Sequence, residues 1–204
     1  YISGVRCMIA ASDSGIRGGA ATPMGVDKGL RCQEIAILNK LPYVQLIESA
    51  GANLFRQSEL FVRGGRSFAN LARMSAMGIP VVGVTNGSST AGGAYQSGLC
   101  DYLIVVRGRS KIFLAGPPLL KAATGEIATD EQLGGAEMHY YGPGTAEYMA
   151  ENDADGVRLV REIFAKMHWN DNLPAQTPRE FKEPLYDAEE LLGCVPVDYR
   201  QPYD

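Results

Sequence analysis

Short, near-continuously apolar runs alternate along the chain with longer segments whose apolar residues recur at helical spacing. Runs of strand length occupy residues 4–12, 41–49 and 80–87, and further ones begin at Tyr102 and Lys111. Strands without polar alternation are typical of sheets covered on both faces. The pattern therefore predicts an α/β fold with a largely parallel, doubly covered sheet.

Helix boundaries are marked by specific residues. Thr22 and Pro23 form a helix start, with Thr as the capping residue and Pro at the first helical position. A second helix is predicted from Phe68, and Gly78 ends it. An amphipathic helix is predicted over residues 153–167. Its expected inward residues are Val157, Val160, Ile163, Phe164 and Met167.

Three glycine-rich loops follow predicted strands: "GIRGGA", "ESAGAN" and "STAGGAY". In a parallel sheet, the loops at the carboxyl ends of the strands meet at one edge, where ligands bind. None of the three matches a phosphate loop, a dinucleotide fingerprint or a nucleophile elbow. The two histidines, His139 and His168, are far apart in the chain and are expected to be structural hydrogen-bonding residues.

The backbone amides are the groups in these loops that remain as candidates for a functional role. Gly92 and Gly93 stand where a short helix begins, and Gly51 and Ala52 follow the preceding strand. Amides that no side chain shields can donate hydrogen bonds to an oxygen anion, such as the enolate of a thioester. The alternative is that these glycines only permit tight strand-to-helix turns, and spacing alone leaves both interpretations open.

Composition narrows the class of protein. The 204 residues fit one domain, and the net charge of −4 argues against nucleic acid as the main partner. No apolar run is long enough to span a membrane, and no signal peptide is recognisable. The spacing of the four cysteines fits neither a zinc site nor a disulfide framework, which predicts reduced thiols in a cytosol-like compartment. Because residue 1 is not Met, we expect a fragment or a processed chain.

The composition shifts after Trp169. Five prolines lie in the remaining segment, at positions 174, 178, 184, 196 and 202. We therefore predict one domain over residues 1–169 and a proline-rich segment over residues 170–204 that docks on a surface or links domains.

Four long motifs occur in a recognisable order: "ESAGANLFRQ", "STAGGAY", "FLAGPPLLKAATGE" and "LGGAEMH". From about Gly4 to Asp204, the chain resembles the carboxyltransferase (beta) subunit of biotin-dependent acyl-CoA carboxylases. The methylcrotonyl-CoA and geranyl-CoA types are the most similar. The resemblance implies the crotonase (ClpP-like) fold, a spiral of β-β-α units, and it places this chain in the amino-terminal half of a two-half subunit.

The resemblance also implies an activity. The amino-terminal half binds acyl-CoA, and the carboxyl-terminal half of a neighbouring subunit presents carboxybiotin from a biotin carboxylase and carrier subunit. Carbon dioxide is released, the freed ureido nitrogen of biotin takes the α-proton, and the resulting enolate attacks the carbon dioxide. Such subunits commonly form homo-hexamers. The implied location is cytoplasmic, with the mitochondrial matrix as the alternative.

Residue roles follow from the same resemblance. Gly92 and Gly93 match the glycine pair that holds the acyl-CoA oxyanion. Ala50 stands where glycine is usual, so a role for its N–H is in doubt. Lys121 is expected to be a surface or structural residue. Ser88, Ser89 and Thr90 either line the acyl pocket or cap the helix, and we expect the cap. The substrate-binding positions implied are Arg17, Gly18, Gly19, Gly51, Ala52, Ala91, Gly116 and Pro117.

Two alternatives remain open. An enoyl-CoA hydratase or isomerase on the same fold needs carboxylates aimed at the acyl chain, and Glu48 could be one. A non-catalytic acyl-CoA-binding or assembly module is the second alternative, because the biotin-presenting half is not in this sequence.

Overall fold

The computed structural model describes residues 1–172, 182–194 and 196–198. It has two compact units, Tyr1–Asp171 and Asn172–Asp204. The described part of the second unit contains a 3-10 turn at Ala188–Glu190 and a helix, α8 (Leu191–Cys194). Of the prolines that mark this segment, those at positions 174, 178 and 202 lie outside the described residues. No described helix is long and apolar enough to cross a bilayer.

The first unit, described throughout, alternates strands and helices. In chain order its elements are β1 (Met8–Ala11), α1 (Pro23–Asn39), β2 (Tyr43–Ser49), α2 (Gln57–Ala76), β3 (Val81–Thr90), α3 (Gly92–Gly98), β4 (Tyr102–Val106), β5 (Lys111–Phe113), α4 (Pro117–Thr124), α5 (Asp130–Gly134), α6 (Ala136–Tyr141), β6 (Tyr148–Ala150) and α7 (Asp153–Lys166).

These strands form one parallel sheet in the order β1-β2-β3-β4-β6, and β5 pairs with the far end of β3. Val82 is the register partner of Val44 on β2, and Val84 is that of Ile104 on β4. Every pairing between the named strands is parallel. The predicted α/β fold with a parallel sheet is therefore confirmed.

Helices cover the sheet on both faces. One core contains Tyr43 and Val81 from the sheet, with Ala36 of α1 and Leu71 and Met74 of α2. On the opposite face, the β2, β3 and β4 side chains pack against α7. That core includes Val44, Val82, Val84, Ile104, Val160, Ile163 and Phe164. Burial on two faces explains why these strands are apolar without alternation.

Several predicted boundaries are confirmed and others are corrected. Thr22 accepts a hydrogen bond from the N–H of Gly25 at 3.2 Å, so it caps α1 as expected. β1 is shorter than the apolar run 4–12 that predicted it. Helix α2 begins at Gln57, well before Phe68. Val157 is 37% exposed rather than inward, because it lies at the edge of the apolar stripe of α7.

Candidate functional site

A cavity of about 810 Å³ lies between strands β1 and β2 and helices α1 and α2. Its wall extends to the start of α3 at the carboxyl ends of the strands, which is the edge where the sequence predicted a ligand. Six of the predicted site residues line it: Gly19, Gly51, Ala52, Ala91, Gly92 and Gly93. The structure thus brings the three glycine-rich loops to one cavity.

Ala91 makes a sharp turn from β3 into α3. Its backbone angles are φ 53° and ψ −113°, a conformation that is strained for a residue with a side chain. The N–H of Ala91 donates to the carbonyl oxygen of Phe113 at 3.1 Å, which ties the turn to the end of β5. This turn places the next two residues, Gly92 and Gly93, on the cavity wall.

The N–H groups of Gly92 and Gly93 have no hydrogen-bond acceptor among the described residues. The next amide, that of Ala94, already donates to the carbonyl oxygen of Ala91 at 3.1 Å. Buried or half-buried amides are nearly always paired, so two adjacent unpaired donors on a cavity wall indicate a place for a ligand oxygen.

Close packing explains why glycine occupies position 93. A methyl group there would lie 3.0 Å from Cβ of Ser49 and 3.2 Å from Oγ of Ser89. At Gly92 a methyl group would lie 3.4 Å from Cζ of Phe68, a contact that a small shift relieves. Phe68 also packs on Tyr95 of α3, with ring centroids 5.5 Å apart.

The loop after β2 presents one free amide rather than two. The N–H of Gly51 donates to Oγ of Ser49 at 3.1 Å, whereas that of Ala52 has no acceptor among the described residues. The N–H of Ala50 donates to the carbonyl oxygen of Gly18 at 2.9 Å. The doubt about Ala50 is thereby explained, because its amide is already paired within the protein.

The turn at Arg17, Gly18 and Gly19 is left-handed, with φ values of 52°, 66° and 70°. A methyl group on Gly19 would lie 2.3 Å from the carbonyl oxygen of Glu48, so only glycine fits there. Arg17 is exposed and has no ion-pair partner in the described part of the chain. Arg17 and Gly18 are outside the cavity wall, although the flanking Ile16 and Gly19 line it.

Gly116 and Pro117 begin α4 and also lie outside the cavity wall. Gly116 packs beside Phe113, the residue whose carbonyl oxygen holds the Ala91 turn. Their connection to the site therefore runs through Phe113, and substrate contact at these two positions stays a prediction. Lys121 is in α4, on the exposed surface, as expected.

Titratable groups near the site have structural partners. Both ring nitrogens of His139 are hydrogen-bonded, to Thr145 Oγ1 at 2.7 Å and to the carbonyl oxygen of Ile112 at 2.8 Å. The carboxylate of Glu48 accepts from the N–H of Ser14 at 3.2 Å and lies 3.8 Å from the guanidinium of Arg109. Glu48 is not on the cavity wall, because alternate β2 side chains point to opposite faces of the sheet.

The predicted helix cap at residues 88–90 is wrong. These residues belong to β3, and Ala91 is the N-terminal flanking residue of α3, with no side-chain cap. The hydroxyl of Ser89 is instead hydrogen-bonded to that of Ser97 at 3.1 Å, and both side chains are fully buried. The serine therefore ties β3 to α3 from behind the cavity wall.

Sequence reasoning missed the cavity residues contributed by β2 and α2. Tyr43, Gln45 and Ile47 line the cavity together with Ser49, since residues two apart on a strand share a face. Gly64 lies on α2 four residues from both Leu60 and Phe68, so it is on the same inward face. The available signals were Gln45, a polar residue within the apolar run of β2, and the glycine pair inside α2.

Comparison with known proteins identifies the family of the chain. The carboxyl transferase domain family matches residues 1–204, the whole chain. A probable biotin-dependent acyl-coenzyme A carboxylase beta2 subunit from Mycobacterium tuberculosis is 49% identical over 203 residues, which are 100% of this chain and 38% of the relative. The mitochondrial methylcrotonoyl-CoA carboxylase beta chain of Dictyostelium discoideum is 45% identical, over 100% of this chain and 35% of its own.

Solved structures show the same relationship. The beta subunit of the P. aeruginosa geranyl-CoA carboxylase is 62% identical with a TM-score of 0.84, over 100% of this chain and 38% of that one. Transcarboxylase 12S, crystallised with methylmalonyl-coenzyme A and methylmalonic acid, is 26% identical with a TM-score of 0.75, over 96% of this chain and 38% of its own. These relatives have the crotonase-like fold, as the family resemblance implied. The chain spans less than two fifths of the length of these relatives, and it belongs to the carboxyl transferase domain family.

Proposed function

We propose that this chain is the acyl-CoA-binding part of the carboxyltransferase of a biotin-dependent acyl-CoA carboxylase. It takes part in moving a carboxyl group from carboxybiotin to the α or vinylogous carbon of an acyl-CoA. The observation that carries the proposal is the pair of unpaired amides at Gly92 and Gly93 on the wall of an 810 Å³ cavity. Family membership supports the same reaction class.

The two amides act on the thioester oxygen. When the carbon next to the thioester loses a proton, negative charge develops on that oxygen. Fixed N–H donors at Gly92 and Gly93 stabilise the charge without rearranging, and one such donor is worth about 2.7–4 kcal/mol of the barrier. The free N–H of Ala52, on the neighbouring loop, is placed to orient the same thioester.

The cavity wall fits a cofactor that brings its own base. The wall contains no histidine, and its carboxylate, Asp13, holds the N–H of Gly15 through Oδ1 at 2.8 Å. When bound, carboxybiotin supplies the carboxyl group and, after losing it, a ureido nitrogen able to take a proton. We assign the holding of biotin to the carboxyl-terminal half of a neighbouring subunit, with the biotin carboxylase and carrier subunit as the further partner.

The size of the cavity favours a long or branched acyl group. Gly64 on the inward face of α2 has no atom within 4 Å of the position a Cβ would take, so the wall is open there. Apolar side chains such as Ile47, Leu60 and Phe68 complete this part of the wall. The proposed assembly is a homo-oligomer, and the proposed compartment is the cytoplasm or, as in the Dictyostelium relative, the mitochondrion.

The position of Glu48 argues against the hydratase or isomerase alternative. Those reactions need a carboxylate aimed at the acyl chain, whereas Glu48 is paired on the opposite face of the sheet. The binding-module alternative shares the cavity with our proposal and differs only in lacking turnover.

Carboxyl transfer in the presence of a biotinylated carrier tests the proposal. The chain is assayed together with the polypeptide that supplies the biotin-presenting half, using acetyl-, propionyl-, methylcrotonyl- and geranyl-CoA. We expect carboxylated product from the longer or branched esters. Binding of the esters without product would support the binding module, and hydration of an enoyl-CoA would support the hydratase.

A further inference from the structure

We propose that the end of the cavity remote from Gly92 and Gly93 is a polar subsite. Through Tyr43 and Gln45, it binds a hydroxyl group at the far end of the acyl chain. This inference rests on the proposed function, because it concerns the acyl group bound in the same cavity. It specifies the class of substrate as CoA esters of long acyl groups that carry a terminal hydroxyl group.

Strand β2 gives the cavity its direction. Ser49 packs on Gly93 at the carboxyl end, and Ile47, Gln45 and Tyr43 follow on the same face toward the amino end. At about 3.3 Å per residue, Gln45 lies about 13 Å along the strand from Ser49, the length of an extended chain of about ten carbons. A thioester held at Gly93 can therefore extend its acyl terminus to Gln45.

The oxygen of the Gln45 side chain is unpaired. Its amide nitrogen donates to Sγ of Cys100 at 3.6 Å, and that thiol in turn donates to the carbonyl oxygen of Gln96 at 3.2 Å. Burial raises the pKa of Cys100 to about 12, so the thiol keeps the proton that it donates. This chain of bonds fixes the amide orientation and leaves Oε1 without a donor among the described residues.

The hydroxyl of Tyr43 is unpaired too. Tyr43 is 2% exposed and Gln45 is 6% exposed, yet neither of these oxygens is fully enclosed, so each stays accessible from the cavity. Burial raises the pKa of Tyr43, and the nearby Cys32 and Cys100 raise it further. The phenol therefore stays protonated and available as a donor.

Gln33 offers an internal comparison. This buried glutamine also lines the cavity, but its amide nitrogen donates to both Ser67 oxygens, at 2.9 Å and 3.2 Å, and its oxygen accepts from Asn70 at 3.1 Å. The side-chain nitrogen and oxygen of Gln33 are thus both hydrogen-bonded, whereas Oε1 of Gln45 has no donor among the described residues. A buried polar group without a partner is unfavourable, which indicates that a bound group completes Gln45.

The free atoms define the chemistry of that group. The Tyr43 phenol offers a donor and Gln45 Oε1 offers an acceptor, so a hydroxyl, which accepts one hydrogen bond and donates another, matches both. The two side chains are neutral, and they favour a neutral group over a carboxylate. A methyl terminus would leave both protein atoms unpaired and would bind more weakly.

Matched esters test the subsite. Dissociation constants of decanoyl-CoA and ω-hydroxydecanoyl-CoA are measured by calorimetry with the full chain, together with Tyr43→Phe, Gln45→Leu and a control. Tyr148→Phe is the control, because it removes a phenol outside the cavity wall. We expect the unmodified chain to bind the hydroxy ester about tenfold more tightly, as two added hydrogen bonds allow.

Tyr43→Phe and Gln45→Leu should each cut this preference to about threefold or less, while Tyr148→Phe retains it. Circular dichroism spectra of both cavity variants should match that of the unmodified chain, which shows that they fold. Equal binding of the two esters by the unmodified chain would overturn the subsite alone, since water would then satisfy both oxygens. Failure to bind either ester would overturn the proposed acyl cavity as well.

Discussion

Gly93 packs against Ser49 so closely that a methyl group on the glycine would lie 3.0 Å from the serine Cβ. The same residue carries one of the two unpaired amides on the cavity wall. Position 93 therefore serves packing and chemistry together, and substituting it changes both. Gly92, where a methyl group meets only the tip of Phe68, separates the two roles.

Gly93→Ala is expected to lower stability. Crowding against Ser49 and Ser89 should reduce the free energy of unfolding by about 1–3 kcal/mol. For a chain of this size, each kcal/mol lowers Tm by about 2–4 °C. Thermal unfolding followed by circular dichroism measures the shift, and an unchanged Tm would contradict the packing described for Gly93.

Gly92→Ala should impair catalysis in a folded protein. The added methyl group stands beside the free amide and keeps the thioester oxygen from the donor, which should lower kcat about a hundredfold. The rate of carboxyl transfer is measured with the complete assembly. Gly98→Ala is the matched control, because it adds a methyl group to the same helix where no atom lies within 4 Å. Equal loss of kcat in both variants would disprove the special role of the first amides.

Gly64→Phe should shorten the cavity. The ring would enter the open space between Leu60 and Phe68, so KM for geranyl-CoA should rise by at least about tenfold, while short esters are affected much less. Val62→Phe places the same ring on the exposed side of α2 and should change neither KM. If KM rises alike for short and long esters, the glycine does not set acyl length.

Arg17→Ala tests the turn at the cavity rim. Its guanidinium is exposed and free of ion pairs among the described residues, so it can meet a phosphate of CoA. We expect the dissociation constant of acyl-CoA to rise about three- to fivefold and to depend less on salt. Arg161→Ala, on α7 at the opposite face of the sheet, is the control. An unchanged dissociation constant would leave Arg17 as a solvated surface residue.

Alkaline pH should destabilise the fold through Cys100. Burial raises the pKa of this thiol from 9.0 to about 12, so the native state holds a proton that the unfolded state releases. The unfolded state then binds fewer protons, and stability falls as pH rises between these two values, by about 1.4 kcal/mol per pH unit. Below pH 9 this contribution is fully present.

Urea unfolding at a series of pH values measures that slope. Cys100→Ala should make this slope shallower between pH 9 and 12, whereas Ser97→Ala, which removes a buried hydroxyl from the preceding helix α3, should not. If the slope is unchanged in Cys100→Ala, the loss of stability at alkaline pH is due to Tyr43 or Cys7 instead, because burial also raises their pKa values.

The sequence allowed the parallel sheet and the meeting of three loops to be predicted, because both follow from strand patterning and the geometry of parallel sheets. It did not reveal that Ser49 occupies the Gly51 amide, since that depends on one hydroxyl rotamer. The strained turn at Ala91 was also missed, because nothing in an alanine signals a positive φ. The inward role of Gly64 was lost when α2 was predicted to begin too late.

The pairing of Ala50 with Gly18 has a mechanical consequence. The N–H of Ala21 also donates a hydrogen bond to the carbonyl oxygen of Gly51, at 2.8 Å. These two backbone hydrogen bonds join the loop after β1 to the loop after β2. The loop after β1, proposed to bind the nucleotide portion of the substrate, and the loop after β2, proposed to bind its thioester, are therefore held together as one rigid unit. Displacement at either end is transmitted to the other without passing through a side chain.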